Sequence, residues 1–202
     1  PAPGDAPAAA PGAPPAALTE AEKAAGWRLL FDGRTMTGWR RYKGTGMPSE
    51  WAVENGALVL LRGGPDIVFE EPFGDFELTL EWRTPQRGDS GIIYRVVETE
   101  APPWMSGPEM QVASHESSGG IPELFPPARS AAGPPGQWNR VRILAKGPKV
   151  EHWLNNGKVC AFEIGDDDWK ARVARSKFGS NPRFALSPSG RICLQGQTPR
   201  VE

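Results

Sequence analysis

Between residues 76 and 83 the chain reads FELTLEWR, a strict alternation of large apolar and polar side chains. Phe76, Leu78, Leu80 and Trp82 fall on one face, and Glu77, Thr79, Glu81 and Arg83 on the other. A period of two over this length suits a β-strand with one buried and one wet face. On a helix the same residues would scatter around the axis. Related patterns recur along the chain. The strand candidates are WRLLFDG (27–33), TGWRRY (37–42), WAVENGALVL (51–60), DIVFE (66–70), SGIIYRV (90–96), PEMQVAS (108–114), WNRVRILAKG (138–147), KVEHWLNNGKVCAFEI (149–164) and RICLQ (191–195). Asn55-Gly56 and Asn156-Gly157 are hairpin signals, because both residue types tolerate the positive φ of tight turns.

Many short strands with regular turns predict an all-β fold, two antiparallel sheets packed as a sandwich or jelly roll, with one or two short helices. Thr19 and Glu22 have the spacing of a capping box, which predicts a short helix over LTEAEKAA. DDDWKARVARSKF (166–178) reads as a second, with aspartates at its start to suit the helix dipole. IPELFPPARSAAGPPG (121–136) is too rich in proline for a strand and reads as a long functional loop. The absence of βαβ alternation and of a glycine-rich phosphate loop argues against nucleotide chemistry.

Residues 1–17, PAPGDAPAAAPGAPPAA, cannot build a core and read as a disordered or polyproline-like tether. Residues 18–202 form one domain. Such a tether points to an exported protein, periplasmic or extracellular, tethered to a membrane through an N-terminal anchor already removed. No apolar run reaches the ~20 residues of a transmembrane helix. A formal charge of −1 does not suit a nucleic acid or another polyanion. Eight tryptophans against two tyrosines are mostly core, with some rings available as sugar-stacking platforms. For Cys160 and Cys193 a disulfide and two separate buried thiols are both open. The size of the framework favours the second, and neither has the company of a metal site or thiol nucleophile.

Several residues are placed to do chemistry. Glu109 and Gln111 share one face of their strand while Met110 and Val112 face the core, and Ile93 shares a face with Arg95. If these strands neighbour FELTLEWR, then Arg95, Glu109 and Gln111 join Glu81 and Arg83 on one charged surface. His152 either lines the core or interrupts a face that opens into a site. His115 sits in a Ser/Gly-rich loop, where an exposed residue and a site residue are both open. Glu81 with Glu109, or Glu109 with Glu123, would permit direct glycoside hydrolysis at a separation of about 5–9 Å. The chain lacks the ExDxE-like alternation of many sandwich glycanases.

A set of motifs in order, Gly26-Trp27, Leu30-Phe31-Asp32-Gly33, Gly38-Trp39, Trp51, Glu54-Asn55-Gly56, GDFEL, SGIIYR, PEMQV, GQWNRVRI, HWLNNGKV, Trp169 to Ser176-Lys177-Phe178 and GRICLQ, resembles the 3-keto-disaccharide hydrolase family over about residues 19–202. The resemblance implies a concanavalin A-like sandwich and cleavage of glycosides already oxidised to a ketone at C3. Such a ketone acidifies the C2 proton, so a base near C2 and a charge stabiliser at the C3 oxygen suffice for elimination, followed by addition of water. On that reading Glu109 or His152 is the base, and Arg95, Arg83 or a divalent metal ion holds the enolate charge. Glu81, Gln111, His115, Glu123, Lys177 and Gln195 then bind sugar hydroxyls, with Trp104 stacking on a ring.

The chain departs from the family pattern at three places. Ala113-Ser114 stands where an Asp is usual, Gly120 to Phe125 replaces a G-x-L-Y segment, and Gly196-Gln197 replaces the Asp-His of an LQDHG run. The alternative expectation is therefore a non-catalytic, lectin-like carbohydrate-binding module. The last strand of the family is expected to be cut at Glu202, leaving a sheet edge unpaired.

Overall fold

The computed structural model describes residues 17–98 and 102–202. All but the last residue of the Pro/Ala-rich segment therefore lies outside the described residues. Thr19 caps helix α1 (Glu20–Ala24) through the reciprocal bonds with Glu22 expected from their spacing. WRLLFDG, predicted as a strand, forms no ladder. Asp32 Oδ1 instead accepts the amides of Arg34 and Thr35 at 2.8 and 2.7 Å, so a local turn competes with pairing.

The remaining strand predictions hold. In chain order they are β1 (Trp39–Arg41), β2 (Trp51–Glu54), β3 (Ala57–Leu60), β4 (Ile67–Phe69), β5 (Phe76–Trp82), β6 (Asp89–Val96), β7 (Glu109–Ala113), β8 (Asn139–Lys146), β9 (Lys149–Leu154), β10 (Gly157–Glu163) and β11 (Arg191–Leu194). One sheet runs β1-β4-β11-β6-β7, a second β10-β9-β8-β5, and β2 with β3 forms a separate hairpin. All pairings are antiparallel. The second hairpin turns at Asn155-Asn156, one residue earlier than predicted, with Gly157 opposite Leu154 as the first residue of β10. Both asparagines take positive φ, which their short polar side chains tolerate. Helix α2 (Asp167–Ala174) starts on an Asp166 cap, and a 3-10 turn follows over Lys177–Ser180. No helix among the described residues is long and apolar enough to cross a membrane.

The sandwich core lies between the two main sheets. Ile67, Ile92, Met110, Val112 and Ile192 from the first meet Val141, Ile143, Val150 and Leu154 from the second. β5 pairs with β8 from Phe76↔Ala145 to Trp82↔Asn139, so it belongs to the second sheet and not beside β6. The polar face of FELTLEWR is thus the outer face of that sheet. Glu77 pairs there with Arg142 at 2.5 Å, and Arg83 with Glu202 at 2.5 Å. The charged surface expected to unite Glu81 and Arg83 with Glu109 is two separate surfaces.

At the chain's end, Glu202 exchanges backbone hydrogen bonds with Arg83 while Leu60 pairs with Arg200 and Val201. These residues bridge the C-terminal ends of β3 and β5. A cleft of about 1030 Å³ occupies this side of the molecule, lined by Trp27, Leu58, Phe76, Leu78 and Leu80 among others. β5 is the edge strand of its sheet.

His152 and Arg95, both expected to be catalytic, are buried inside the protein and away from the outer face. His152 is fully buried between the sheets. Its Nδ1 lies 2.9 Å from the Gly119 carbonyl, which only accepts, so Nδ1 carries the proton and Nε2 accepts from Tyr94 Oη at 2.9 Å. Arg95 sits in a bulge where Tyr94 and Arg95 of β6 oppose the single residue Ile192 of β11. Its φ of +55° breaks the alternation that would have kept it beside Ile93. The guanidinium reaches instead to the other sheet, donating to Gly147 O at 2.6 Å. The backbone of Arg95 fits closely over Gly190, where a Cβ would come within 2.3 Å of its carbonyl carbon. Cys160 and Cys193 are both buried and free, so no disulfide joins them.

Burial lowers the His152 pKa to about 4, against an ordinary value near 6.5. The stability this neutral imidazole contributes is complete above pH 6.5 and lost as pH falls toward 4. Urea unfolding should show the advantage of wild type over His152→Gln shrinking by about 2 kcal/mol between pH 7 and pH 4.5. An advantage that does not change with pH would contradict the neutral, buried assignment.

Candidate active site

The outer face of the five-stranded sheet carries Glu109, a carboxyl whose pKa burial raises strongly. On β7, Met110 and Val112 are in the core, which turns Glu109 and Gln111 outward. They lie opposite Ile93 and Gly91 of β6. The floor beside them is apolar: Val68, Ile93, Val96 and Cys193 form a buried cluster, with Trp104 packed against it.

Gly91 determines how Glu109 lies. A Cβ at Gly91 would come within 2.2 Å of Glu109 Oε1, so the carboxyl folds across β6 in the space a side chain would fill. Burial there pushes the Glu109 pKa up to about 7. The Lys177 charge pulls it down, while Asp89 and Asp66 push it further up. Burial also raises Asp66, which precedes β4 and accepts the Gly196 amide at 2.8 Å.

Asp89 orders the polar groups around this carboxyl. Its Oδ1 accepts from Gln111 Nε2, and its Oδ2 accepts from Gln197 Nε2 at 2.9 Å. Both amide oxygens remain as acceptors for a ligand. Gln195 Oε1 is buried without a hydrogen-bond partner. Lys177 Nζ lies 4.9 Å from the centre of the Trp104 ring and 3.3 Å from Glu123 Oε1. The Trp104 ring stands edge-on to Phe178.

Of the residues expected at the site, Glu109, Gln111, Gln195, Lys177 and Trp104 come together on this face or at its border. Glu123 joins them only through Lys177. Glu81 and Arg83 are on the other sheet, and His152 and Arg95 are internal. His115 lies in an exposed turn after β7, with Nδ1 2.8 Å from Ser117 Oγ. Asp66, Asp89 and Gly91 join the candidate site and were not singled out from sequence, while Gln197, noted there only as a departure from the family pattern, lies beside them. Gly91 carried a signal, since a glycine inside an otherwise bulky strand marks a close approach. Among the described residues no group of three or more His, Cys, Asp or Glu side chains is placed to hold a metal ion.

A base near neutral pH, a nearby cation, a group of amide acceptors and an aromatic ring suit the deprotonation of a polyhydroxylated substrate. The 3-keto-alpha-glucoside-1,2-lyase-like domain family matches residues 26–202. The chain belongs to this family. A 3-keto-disaccharide hydrolase of Bacteroides thetaiotaomicron is 27% identical over 188 residues. That match covers 77% of this chain and 65% of the relative, so this chain spans somewhat less than two thirds of the relative's length. A provisionally named glycosyl hydrolase from Parabacteroides distasonis ATCC 8503 has 33% identity and a TM-score of 0.84, covering 92% of this chain and 94% of that one. The carbohydrate-binding module CBM66 of Bacillus subtilis shares the fold, with a TM-score of 0.53 at 14% identity, over 82% of this chain and 92% of that one.

The raised Glu109 pKa has a consequence for stability. The folded state favours the protonated carboxyl, so its contribution is present below pH 4.5 and lost as pH rises through about 7. Glu109→Gln should therefore be more stable than wild type toward urea unfolding at pH 8, by roughly 1–3 kcal/mol at ~1.4 kcal/mol per pKa unit. At pH 4 the two should be close. A variant less stable than wild type at pH 8 would mark Glu109 as a structural ion-pair partner.

Proposed function

We propose that this family member cleaves glycosides carrying a ketone at C3, with Glu109 as the base. Glu109 takes the proton from C2, and the electron pair of that bond forms the C2–C3 enolate. Collapse of the enolate expels the C1 substituent with the bonding electrons, and the leaving oxygen takes a proton. Water then adds at C1 while C2 regains a proton, so the net reaction is hydrolysis. The charge that develops on the C3 oxygen needs a cation or donors. With Arg95 and Arg83 elsewhere, Lys177 is the cation whose field reaches Glu109. Gln111, Gln195 and Gln197 supply acceptors for sugar hydroxyls, and Trp104 an apolar ring face.

The observation that carries this reading is the placement of Glu109 over Gly91, with a pKa near 7. A carboxylate whose pKa lies near 7 combines higher basicity than an ordinary carboxylate with a useful ionised fraction at neutral pH. Ala113, Ser114, Gly196 and Gln197 replace groups usual in the family, which favours the second reading, a lectin-like module that binds without turnover.

One assay separates the two. The protein is incubated with a 3-keto-glucoside and with the unoxidised glucoside, with and without EDTA. Release of aglycone from the keto substrate alone is expected, with kcat/KM rising to a plateau above about pH 7. Glu109→Gln should lower the rate by at least about 10²-fold. Binding without release would favour the module, and an undiminished rate in Glu109→Gln would remove Glu109 from the base role.

A further inference from the structure

We infer that Glu123 is a positioning residue: it anchors Lys177 over Trp104 and thereby limits how strongly Lys177 acts on Glu109. This rests on the proposed role of Glu109 as base. Glu123 holds Lys177 at two points, accepting its backbone amide through Oε2 at 3.1 Å and pairing with its ammonium through Oε1 at 3.3 Å. Lys177 is further fixed by two rings, its Nζ lying 4.9 Å from the centre of Trp104 and 5.2 Å from that of Phe178. The loop carries Glu123 in a costly conformation for a residue with a Cβ, at φ +63°. The Ile121 and Phe125 backbones pair across it, and Arg172 Nη1 of α2 donates to Leu124 O at 2.9 Å. Hydrogen bonds from Lys177 keep the Glu123 carboxyl below its ordinary range, so it stays ionised at neutral pH.

The groups acting on Glu109 are Lys177 from the 3-10 turn after α2, Asp89 from β6 and Asp66 from the approach to β4. Cys193 of β11 is neutral, since burial raises its thiol well above the ordinary value. Glu123 is not among those charges, and its route to Glu109 is through Lys177. An ammonium shared with Glu123 acts less on Glu109 than one released from it. The clamp therefore keeps the base from becoming too weak while leaving a cation for the enolate.

Glu123→Gln, Lys177→Met and the double variant test this. The Glu109 titration is followed by carbon-13 NMR of its side-chain carboxyl, which needs no turnover, and by the pH dependence of kcat/KM. Glu123→Gln should move the Glu109 midpoint down by about 0.5–1 unit, and Lys177→Met should move it up. In the Lys177→Met background the Glu123 substitution should shift it by less than about 0.2 unit, because the route has been removed. A Glu123→Gln midpoint equal to wild type, or an equal shift with and without Lys177, would overturn the inference. If the NMR shifts appear but no keto-glycoside is cleaved, the clamp stands and the proposed reaction falls.

Discussion

The site depends on a carboxyl placed where water reaches it poorly. Glu109 lies across β6 over the bare backbone of Gly91, beside an apolar floor that includes Ile93 and Cys193. Removing a carboxylate from water favours its neutral form, and two acidic neighbours act in the same direction. Lys177 opposes them. The result is a group balanced near neutrality, obtained by geometry more than by any single partner. Such a balance works against stability at high pH.

The surrounding framework keeps that geometry fixed. Tyr94, His152 and the Gly119 carbonyl form a buried chain of hydrogen bonds that runs from β6 to β9 and on to the loop after β7. Arg95 ties the β6 bulge to the β8–β9 turn through Gly147. Glu98, after β6, pairs with Arg40 of β1 at 2.5 Å and with Arg191 of β11 at 3.5 Å. This last cluster holds Glu98 at a pKa of about 2, chiefly through the Arg40 hydrogen bonds, so it stays charged under any working condition. Two residues with the chemical character of a catalytic pair, His152 and Arg95, thus tie the two sheets together from inside the sandwich.

Local order was readable in the sequence, and long-range pairing was not. Alternation identified β5, β7 and β8, and the capping box at Thr19 identified α1. Periodicity says which residues share a face but not which strand lies alongside. Placing β5 beside β8 separated Glu81 and Arg83 from Glu109. The β6 bulge displaced Arg95, because one extra residue inverts the faces beyond it. His152 kept both readings open until the Tyr94 and Gly119 contacts decided for the core. Asp66 and Asp89 come from the starts of β4 and β6, on either side of β11, and their meeting at Glu109 is a product of topology. The family resemblance proved right across residues 26–202, yet it could not tell whether substituted positions had been compensated by new neighbours.

The most direct test of the central claim is the fate of hydrogen at C2. Cleavage of a 3-keto-glucoside is run in deuterium oxide, and the released sugar is examined by NMR early enough to precede uncatalysed exchange. Proton abstraction by Glu109 with later return of a solvent proton predicts deuterium at C2 in the product of the wild-type protein, and none above background with Glu109→Gln. Cleavage that leaves the original hydrogen at C2 would contradict elimination, and with it the role assigned to Glu109.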